Sequence, residues 1–407
     1  MKINNNININ KIFMLAGEVS SDQIGSSLMI GLKENLNSKV QFFGVGGSLM
    51  QEQGLVSAFD IKHLNIIGFT NTLLNYKKLK KNLNDLIELI IIEQPKVIIT
   101  IDSKGFSLAL AKALKKKFKE TFFKCPLIHF VPPTIWAYGK SRAKKWVGIH
   151  DGLFCIFNKE IDIFKKYNIE CLYVGNPILE KSLKNISNIS NIKNFKTKYS
   201  LNSDNKICLI LPGSRDSEVN YILPELLNTI ELSKLRWPNL IWFLPTTKKQ
   251  FLKVKNILDS KKNLKNVHVI ILEDNYDILK IADLALACSG TITLELILFN
   301  IPTIAVYKTD WLSAFIGNII VDFKNVILPN FLADKEIVPF LFQDKCNPNA
   351  LNLLLNDFLM NIEEKKIDIK NQSSKILKSM GYYKTNHNCF SKESSNKILS
   401  IINNFNP

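Results

Sequence analysis

The feature that most constrains the fold is an alternation, sustained twice along the chain, of short β-rich apolar runs with longer amphipathic ones. In the first half, Lys11 to Ala16 is a strand candidate, Asp22 to Leu36 a helix and Val40 to Val45 a strand. Tyr76 to Glu93 follows as a helix, Lys96 to Ile101 as a strand ending at Asp102, Leu108 to Phe118 as a helix and Leu127 to Val131 as a strand. Apolar strands separated by helices imply parallel βαβ units with helices on both faces. A Ser/Asn/Lys-rich stretch from Ser182 to Asn205 interrupts the pattern and reads as an interdomain connection with a short helix inside it. The alternation then restarts through Ile207 to Leu211, Leu240 to Leu244, Val267 to Leu272, Ala282 to Ala287 and Thr303 to Tyr307. The expected architecture is α/β: two tandem Rossmann-like doubly wound domains, residues 1–181 and 206–384, joined by a linker at 182–205. The closing segment, residues 385–407 with a helix from Glu393 to Asn404, is expected to pack back on the first domain. Ligands of such sheets bind beyond the carboxyl ends of the strands, and two domains with facing loops make a deep cleft.

Two loops carry the most chemistry. Leu211-Pro212-Gly213-Ser214-Arg215 and Ser289-Gly290-Thr291 each follow an apolar strand-like run and lead into a helix-like run. A turn of this kind leaves backbone N–H groups at a helix start, where the macrodipole is positive and anions bind. Two in one domain point to a diphosphate site.

Length and charge set the frame. The 407 residues suit two domains of roughly 150 to 200 residues each, and 46% hydrophobic content excludes wholesale disorder. A formal charge of +17 favours an anionic partner, whether nucleic acid, an anionic membrane surface or a phosphorylated substrate. The abundant Lys, Asn and Ile also fit compositional drift. Seven cysteines (Cys125, Cys155, Cys171, Cys208, Cys288, Cys346 and Cys389) are scattered without a C-x-x-C pair and read as buried thiols of a reducing cytoplasm. The start, Met1 to Asn10, is polar, and the apolar run after it ends at Ala16, too short for a signal peptide. No apolar run reaches the roughly 18 to 20 residues that span a bilayer, so a soluble or peripheral protein is expected.

Several common motifs are missing from the sequence. There is no G-x-x-x-x-G-K-[ST] loop, and Gly44-Val45-Gly46-Gly47 has Leu49 where a dinucleotide fingerprint has its third glycine. The five histidines (His63, His129, His150, His268 and His387) show no metal-ligand spacing. Neither a P-loop NTPase nor an NAD-dependent dehydrogenase is favoured.

Several blocks together carry a family resemblance. Ala16-Gly17-Glu18-Val19-Ser20, Gly44 to Gly47 with Met50 and Gly54, Ile101-Asp102-Ser103, and Val131-Pro132-Pro133-Thr134-Ile135-Trp136-Ala137 are similar, in order and spacing, to the amino-terminal blocks of the lipid-A-disaccharide synthase family. Leu211 to Arg215 with Glu218, Ser289-Gly290-Thr291 with Glu295, and Leu328-Pro329-Asn330 with Glu336 and Gln343 resemble its carboxyl-terminal blocks. The resemblance spans nearly the whole chain. It implies an inverting, metal-independent glycosyltransferase of the GT-B fold that needs no cofactor. Such an enzyme joins UDP-2,3-diacylglucosamine to 2,3-diacylglucosamine 1-phosphate through a β-1′,6 bond and releases UDP. The resemblance further implies peripheral work at the inner face of the cytoplasmic membrane, and it permits a homodimer with exchanged carboxyl-terminal segments.

Displacing UDP needs a base for the incoming hydroxyl and stabilisation of the departing diphosphate. Asp102 ends a β-rich strand, where it serves either as the base, worth ~10² to 10⁴ in rate, or as an N-cap of the next helix; the family's aspartate at this place favours the base. Arg215 is read as a phosphate ligand, at roughly 1.5 to 3 kcal/mol per charged hydrogen bond, or as the partner of Glu218 one turn on. Gly213, Ser214, Ser289, Gly290 and Thr291 line the expected diphosphate site, with Gly17 in the first strand-to-helix loop. By resemblance Glu295 grips the nucleotide ribose, its alternative being a solvated residue of a capped helix. Glu18 either faces the acceptor or favours the helix dipole. Asn330, Glu336 and Gln343 are assigned to the donor side, and Trp136 to packing.

Ile66, Ile67, Phe69 and Leu73 precede Lys77, Lys78, Lys80 and Lys81, an apolar stretch beside a basic one. It reads as a surface for an anionic leaflet at ~1 kcal/mol per Lys, or as a core helix with a solvated lysine face. Three departures from the family pattern stand out. Lys104-Gly105 occupies a place where a Pro-Asp pair is frequent, Asn71 that of a glutamate, and Asn176 that of a histidine. The rival readings are a GT-B enzyme for a soluble UDP-sugar, such as an epimerase or a polar-acceptor transferase, and a basic nucleic-acid-binding protein. No RRM, KH or zinc signature supports the second.

Overall fold

The computed structural model of the chain describes residues 11–36, 40–64, 76–135, 140–187, 192–261, 263–264, 266–310, 326–383, 386–387 and 389–406. It divides into two units: Met1–Glu180 with Ser379–Pro407, and Lys181–Lys378.

The first unit is built on β1 (Lys11–Ala16), β2 (Gln41–Val45), β3 (Leu55–Ser57), β4 (Val97–Ile101), β5 (Leu127–Phe130), β6 (Gly152–Cys155) and β7 (Leu172–Tyr173). They lie in the order β3-β2-β1-β4-β5-β6-β7, every neighbouring pair parallel. The sequence Val-Ile-Ile-Thr-Ile of β4 is buried throughout, as a strand covered on both faces must be. Helices Tyr76–Glu93 and Lys104–Glu120 send Leu86, Ile90, Leu110 and Leu114 onto one face against Phe13, Leu15 and Ile98. The closing helix Phe390–Asn404 lies along helix Val19–Asn35. Asn35 Nδ2 donates to Ser395 Oγ at 2.7 Å, and a Cβ on Gly31 would stand 2.1 Å from the Ser391 carbonyl oxygen. Only glycine lets the two backbones approach so closely.

The second unit is built on β8 (Lys206–Leu211), β9 (Leu240–Thr246), β10 (Val267–Ile271), β11 (Leu284–Cys288), β12 (Thr303–Tyr307) and β13 (Phe340–Phe342). The order is β10-β9-β8-β11-β12-β13, again all parallel. One face is covered by helices Asp216–Ser233 and Pro348–Met360. The other packs Phe195, Leu209, Phe243, Ala285 and Leu296 together. In both sheets strand order reverses once, between β1 and β4 and between β8 and β11. These are the topological switch points at which such sheets bind ligands.

The expected linker at 182–205 is corrected by the structure. Its residues belong to helices Pro177–Ser187 and Ile192–Lys198, and Phe195, 8% exposed, stacks its ring 5.5 Å from Phe243 of β9. The short helix expected inside this stretch is Ile192–Lys198, which brings Phe195 to the second core with Tyr199 just beyond its end. The division falls instead at Glu180 and Lys181, within a helix, and again at Lys378 and Ser379. Short edge strands β3, β7 and β13 carry too few residues for periodicity to mark them.

Candidate functional site

At the second unit's switch point the two glycine turns lie on adjacent strands, Leu211–Arg215 after β8 and Ser289–Thr291 after β11. Parallel neighbours run about 4.8 Å apart, so both turns open at the same edge. They differ in one respect that corrects the sequence reading. In the first turn the amides are not vacant. Glu218, 5% exposed, accepts from Ser214 N at 2.9 Å and Arg215 N at 3.1 Å through Oε2, while Arg215 Nη1 donates to its Oε1 at 2.7 Å. Gly213 has φ +109°, and a Cβ there would come within 2.4 Å of Glu218 Oε2. From behind, buried Gln250 donates to the Ser214 carbonyl and to Asp216 Oδ1, each at 3.3 Å.

The second turn is open. Ser289 N is used by the sheet, donating to Val306 O at 2.8 Å. Gly290 and Thr291 are exposed, and a Cβ on Gly290 would meet nothing within 4 Å among the described residues. Thr291 begins helix Thr291–Leu298, where Thr293 N already donates to Gly290 O at 3.2 Å, so the N–H groups of Thr291 and Ile292 are the ones a helix start leaves without an intrahelical acceptor. Thr293 Oγ1 closes the turn on the Gly290 carbonyl at 2.7 Å. One turn on, Glu295 is 8% exposed, which removes the reading of it as solvated. Tyr276 OH donates to its Oε1. Lys181 Nζ stands 3.4 Å from the same oxygen and 4.5 Å over the Tyr276 ring. Burial pushes the Glu295 carboxyl above its ordinary range, and the Lys181 charge partly opposes this.

Of the three residues assigned to the donor side, two act on backbone. Buried Asn330 donates to Val338 O at 2.8 Å and accepts from Ile337 N and Val338 N at 2.9 Å, clamping the loop that carries exposed Glu336. Gln343, φ +52°, brackets Thr309, accepting from its N at 2.8 Å and donating to its O at 3.0 Å.

At the first unit's switch point Gly17-Glu18 follows β1 and Asp102-Ser103 follows β4. A Cβ on Gly17 would lie 1.8 Å from Ser103 Oγ, so the two loops pack directly. Asp102 and Ser103 both have left-handed backbones, φ +52° and +44°, at a cost of order 1–3 kcal/mol each. Ser103, not Asp102, occupies the N-cap of helix Lys104–Glu120, which removes the capping alternative for Asp102. The turn is held by Asp102 N donating to Phe130 O at 3.0 Å and by Ser107 Oγ donating to Asp102 O at 2.8 Å. Lys104 Nζ stands 3.4 Å from Asp102 Oδ1. Glu18 is the N-cap of helix Val19–Asn35, its N donating to Ser21 Oγ at 2.8 Å. Near this edge Glu160, 1% exposed, accepts from Phe157 N at 3.2 Å, while its Oε1 lacks a partner among the described residues. Burial pushes this carboxyl up to about 8, a rise that the Lys104 charge opposes.

The remaining expectations divide. Ile66, Ile67, Phe69, Leu73, Asn71 and Trp136 lie outside the described residues. Lys77, Lys78, Lys80 and Lys81 form an exposed face of a helix whose Leu86 and Ile90 are core. Gly47 faces Asp22, whose carboxylate takes the amides of Gly47, Leu49 and Met50 at 2.8 to 3.1 Å, while Gly46 packs against Leu55 and Met50. Asn176 is buried, donating to Ile156 O at 3.2 Å and accepting from Ile178 N at 2.8 Å. Tyr276, Lys181 and Gln250 carry no local signal in the sequence, because each meets the site through tertiary packing. Among the described residues no cluster of three or more His, Cys, Asp or Glu is arranged for a metal ion, and no helix is long and apolar enough to cross a membrane.

Comparison with known proteins joins these observations. A family model described as lipid-A-disaccharide synthetase matches residues 12–396. The lipid-A-disaccharide synthase of Rickettsia conorii is 33% identical over 387 residues, covering 91% of this chain and 83% of the relative. That of Paramagnetospirillum magneticum is 33% identical over 342 residues, covering 84% and 85%. Among solved structures, a UDP-GlcNAc 2-epimerase from Neisseria meningitidis bound to UDP-GlcNAc has a TM-score of 0.61 at 14% identity, covering 96% of this chain and 98% of that one. A glycosyltransferase from Rickettsia africae has 0.53 at 12%, covering 98% and 100%. These structures share the GT-B fold alone, so the epimerase likeness is one of shape and not of activity. The family match and the relatives decide between the readings: the chain belongs to the lipid-A-disaccharide synthase family.

Proposed function

We propose that the chain condenses UDP-2,3-diacylglucosamine with 2,3-diacylglucosamine 1-phosphate, the first unit serving the acceptor and the second the donor. Family membership makes it a glycosyltransferase of lipid A biosynthesis, with a UDP-sugar donor and a lipid acceptor. The observation that carries the assignment of roles is the pairing of loops at each switch point, Glu18 beside Asp102 and Arg215 beside Ser289–Thr291. Asp102 takes the proton from the acceptor 6-hydroxyl, whose oxygen forms a bond to the donor anomeric carbon. The bond from that carbon to the diphosphate breaks, and UDP leaves with the electron pair. Arg215 and the helix start at Gly290 and Thr291 meet the charge that develops there.

Glu295 receives the ribose hydroxyls, with Tyr276 and Lys181 fixing its direction. Glu18 faces the acceptor, and Gly17 keeps its loop close to Ser103. Asn330 and Gln343 serve the donor by shaping the loops at Glu336 and Thr309, and Gly213 and Ser214 do so by shaping the Arg215 turn. We extend the reading to an anionic leaflet at the inner face of the cytoplasmic membrane, approached by exposed Lys77, Lys78, Lys80 and Lys81, and to a homodimer. Thin-layer separation of products from UDP-diacylglucosamine and from UDP-N-acetylglucosamine tests the substrate. A disaccharide 1-phosphate formed only from the acylated donor supports the proposal. Epimerisation or transfer with the unacylated donor alone overturns it. Flotation with anionic vesicles and sedimentation velocity test the leaflet and the dimer.

A further inference from the structure

We infer that Glu218 is the positioning residue of the donor site: it fills the Pro-Gly-Ser-Arg turn with its own carboxylate, aims Arg215, and leaves the diphosphate to Arg215 and the Ser289–Thr291 turn. The inference rests on the reading of Arg215 as a diphosphate ligand.

A helix-start turn after a strand ordinarily offers its amides to a phosphate. Here one buried carboxylate already accepts from Ser214 N at 2.9 Å, Arg215 N at 3.1 Å and Arg215 Nη1 at 2.7 Å. The turn is moulded to it. Gly213 adopts φ +109°, and a Cβ there would stand 2.4 Å from Glu218 Oε2 and 2.6 Å from Glu218 Cβ. A phosphate oxygen at the same amides would sit against a carboxylate in a desolvated place, where like charges repel strongly.

The neighbouring turn has the opposite character. Gly290 is exposed, its φ of 167° is ordinary extended backbone, and nothing lies within 4 Å of where its Cβ would be. No contact among the described residues requires glycine there, and a close-approaching anion would. The two turns lie side by side, since they end the neighbouring parallel strands β8 and β11, with Leu211 in register with Ala287. Glu218 therefore holds the guanidinium at the mouth of the open turn, much as a preorganised site holds its donors before the charge arrives.

A helix cap acting on its own would stabilise the turn without acting through Arg215. A double-mutant cycle on UDP affinity separates the two roles. Isothermal titration of UDP into the full chain would compare wild type, Arg215→Ala, Glu218→Gln and the double variant. Arg215→Ala is expected to raise Kd about 10- to 100-fold. Glu218→Gln is expected to raise it about tenfold in the wild-type background and less than about twofold in the Arg215→Ala background. Equal losses in both backgrounds, or tighter UDP binding by Glu218→Gln as the amides are vacated, would overturn the inference. An unchanged Kd in Arg215→Ala would instead remove the phosphate reading beneath it. If Glu218→Gln does not fold, Glu218→Asp, which keeps the charge but withdraws it from Nη1, takes its place in the same cycle.

Discussion

Glu160→Gln offers a quantitative test of the electrostatics at the switch-point edge of the first unit. Glu160 is buried, one carboxyl oxygen accepts from Phe157 N, and the other has no partner among the described residues. Burial raises its titration from 4.5 to about 8. Between those values the folded chain keeps a proton that the unfolded chain has released. Stability therefore falls as pH rises through this window, and levels off only above pH 8. Integrated from pH 6.5 to 8, one such group takes away about 1.5 kcal/mol.

The opposite sign comes from buried His129 and from His150, which burial holds below their usual range, His150 at about 4. They favour the folded state above the ordinary histidine pKa and cost stability as pH falls below it. Their contributions cancel in the difference between wild type and Glu160→Gln. Denaturant unfolding of both proteins at pH 6.5 and pH 8, at matched ionic strength, should show the variant gaining about 1.5 kcal/mol on wild type over that interval. Curves that stay parallel would mean that the buried carboxyl is ionised throughout, and would refute the reasoning.

Other substitutions separate fold from site. Gly290→Ala should lower stability by no more than about 1 kcal/mol, the usual cost at a cap, yet raise the UDP Kd about tenfold or more by obstructing the diphosphate. Calorimetry of melting and of binding checks both. Gly213→Ala should do harm of both kinds, losing about 1–3 kcal/mol in stability through left-handed strain and the clash with Glu218. Phe195→Ala should destabilise the second unit by about 3–5 kcal/mol, measured by denaturation; a surface linker would lose less than about 0.5 kcal/mol. Replacing Lys77, Lys78, Lys80 and Lys81 by Gln should weaken flotation with anionic vesicles by ~1 kcal/mol per lysine at low salt, and leave binding to neutral vesicles unchanged.

Strands β1, β2, β4, β5 and β8 to β12 were legible because parallel strands buried on both faces are written as near-continuous apolar runs such as Val97–Ile101 and Leu284–Cys288, whereas the four residues of interior β6, beginning at Gly152, were not marked. The glycine turns were legible for a related reason, since a strand end followed at once by a helix start leaves little choice of residue. What occupies those turns was not. Glu218 was visible one helical turn after Arg215, but nothing local said that its carboxylate would close over the amides of Ser214 and Arg215. The short helix expected between Ser182 and Asn205 is Ile192–Lys198, but its lysines and asparagines carried no sign that Phe195 would dock it into the second core. Tyr276 reaches Glu295 from the short helical turn Tyr276–Lys280, and Lys181 from the distant helix Pro177–Ser187. Contacts of this kind exist only after the sheet has formed, and no periodicity records them.

The division of labour between the units is tested most directly by steady-state turnover of Asp102→Asn, measured beside its affinity for UDP. The proposed base predicts a loss of ~10² to 10⁴ in kcat, with a UDP Kd equal to that of wild type. Turnover at the wild-type rate would contradict it.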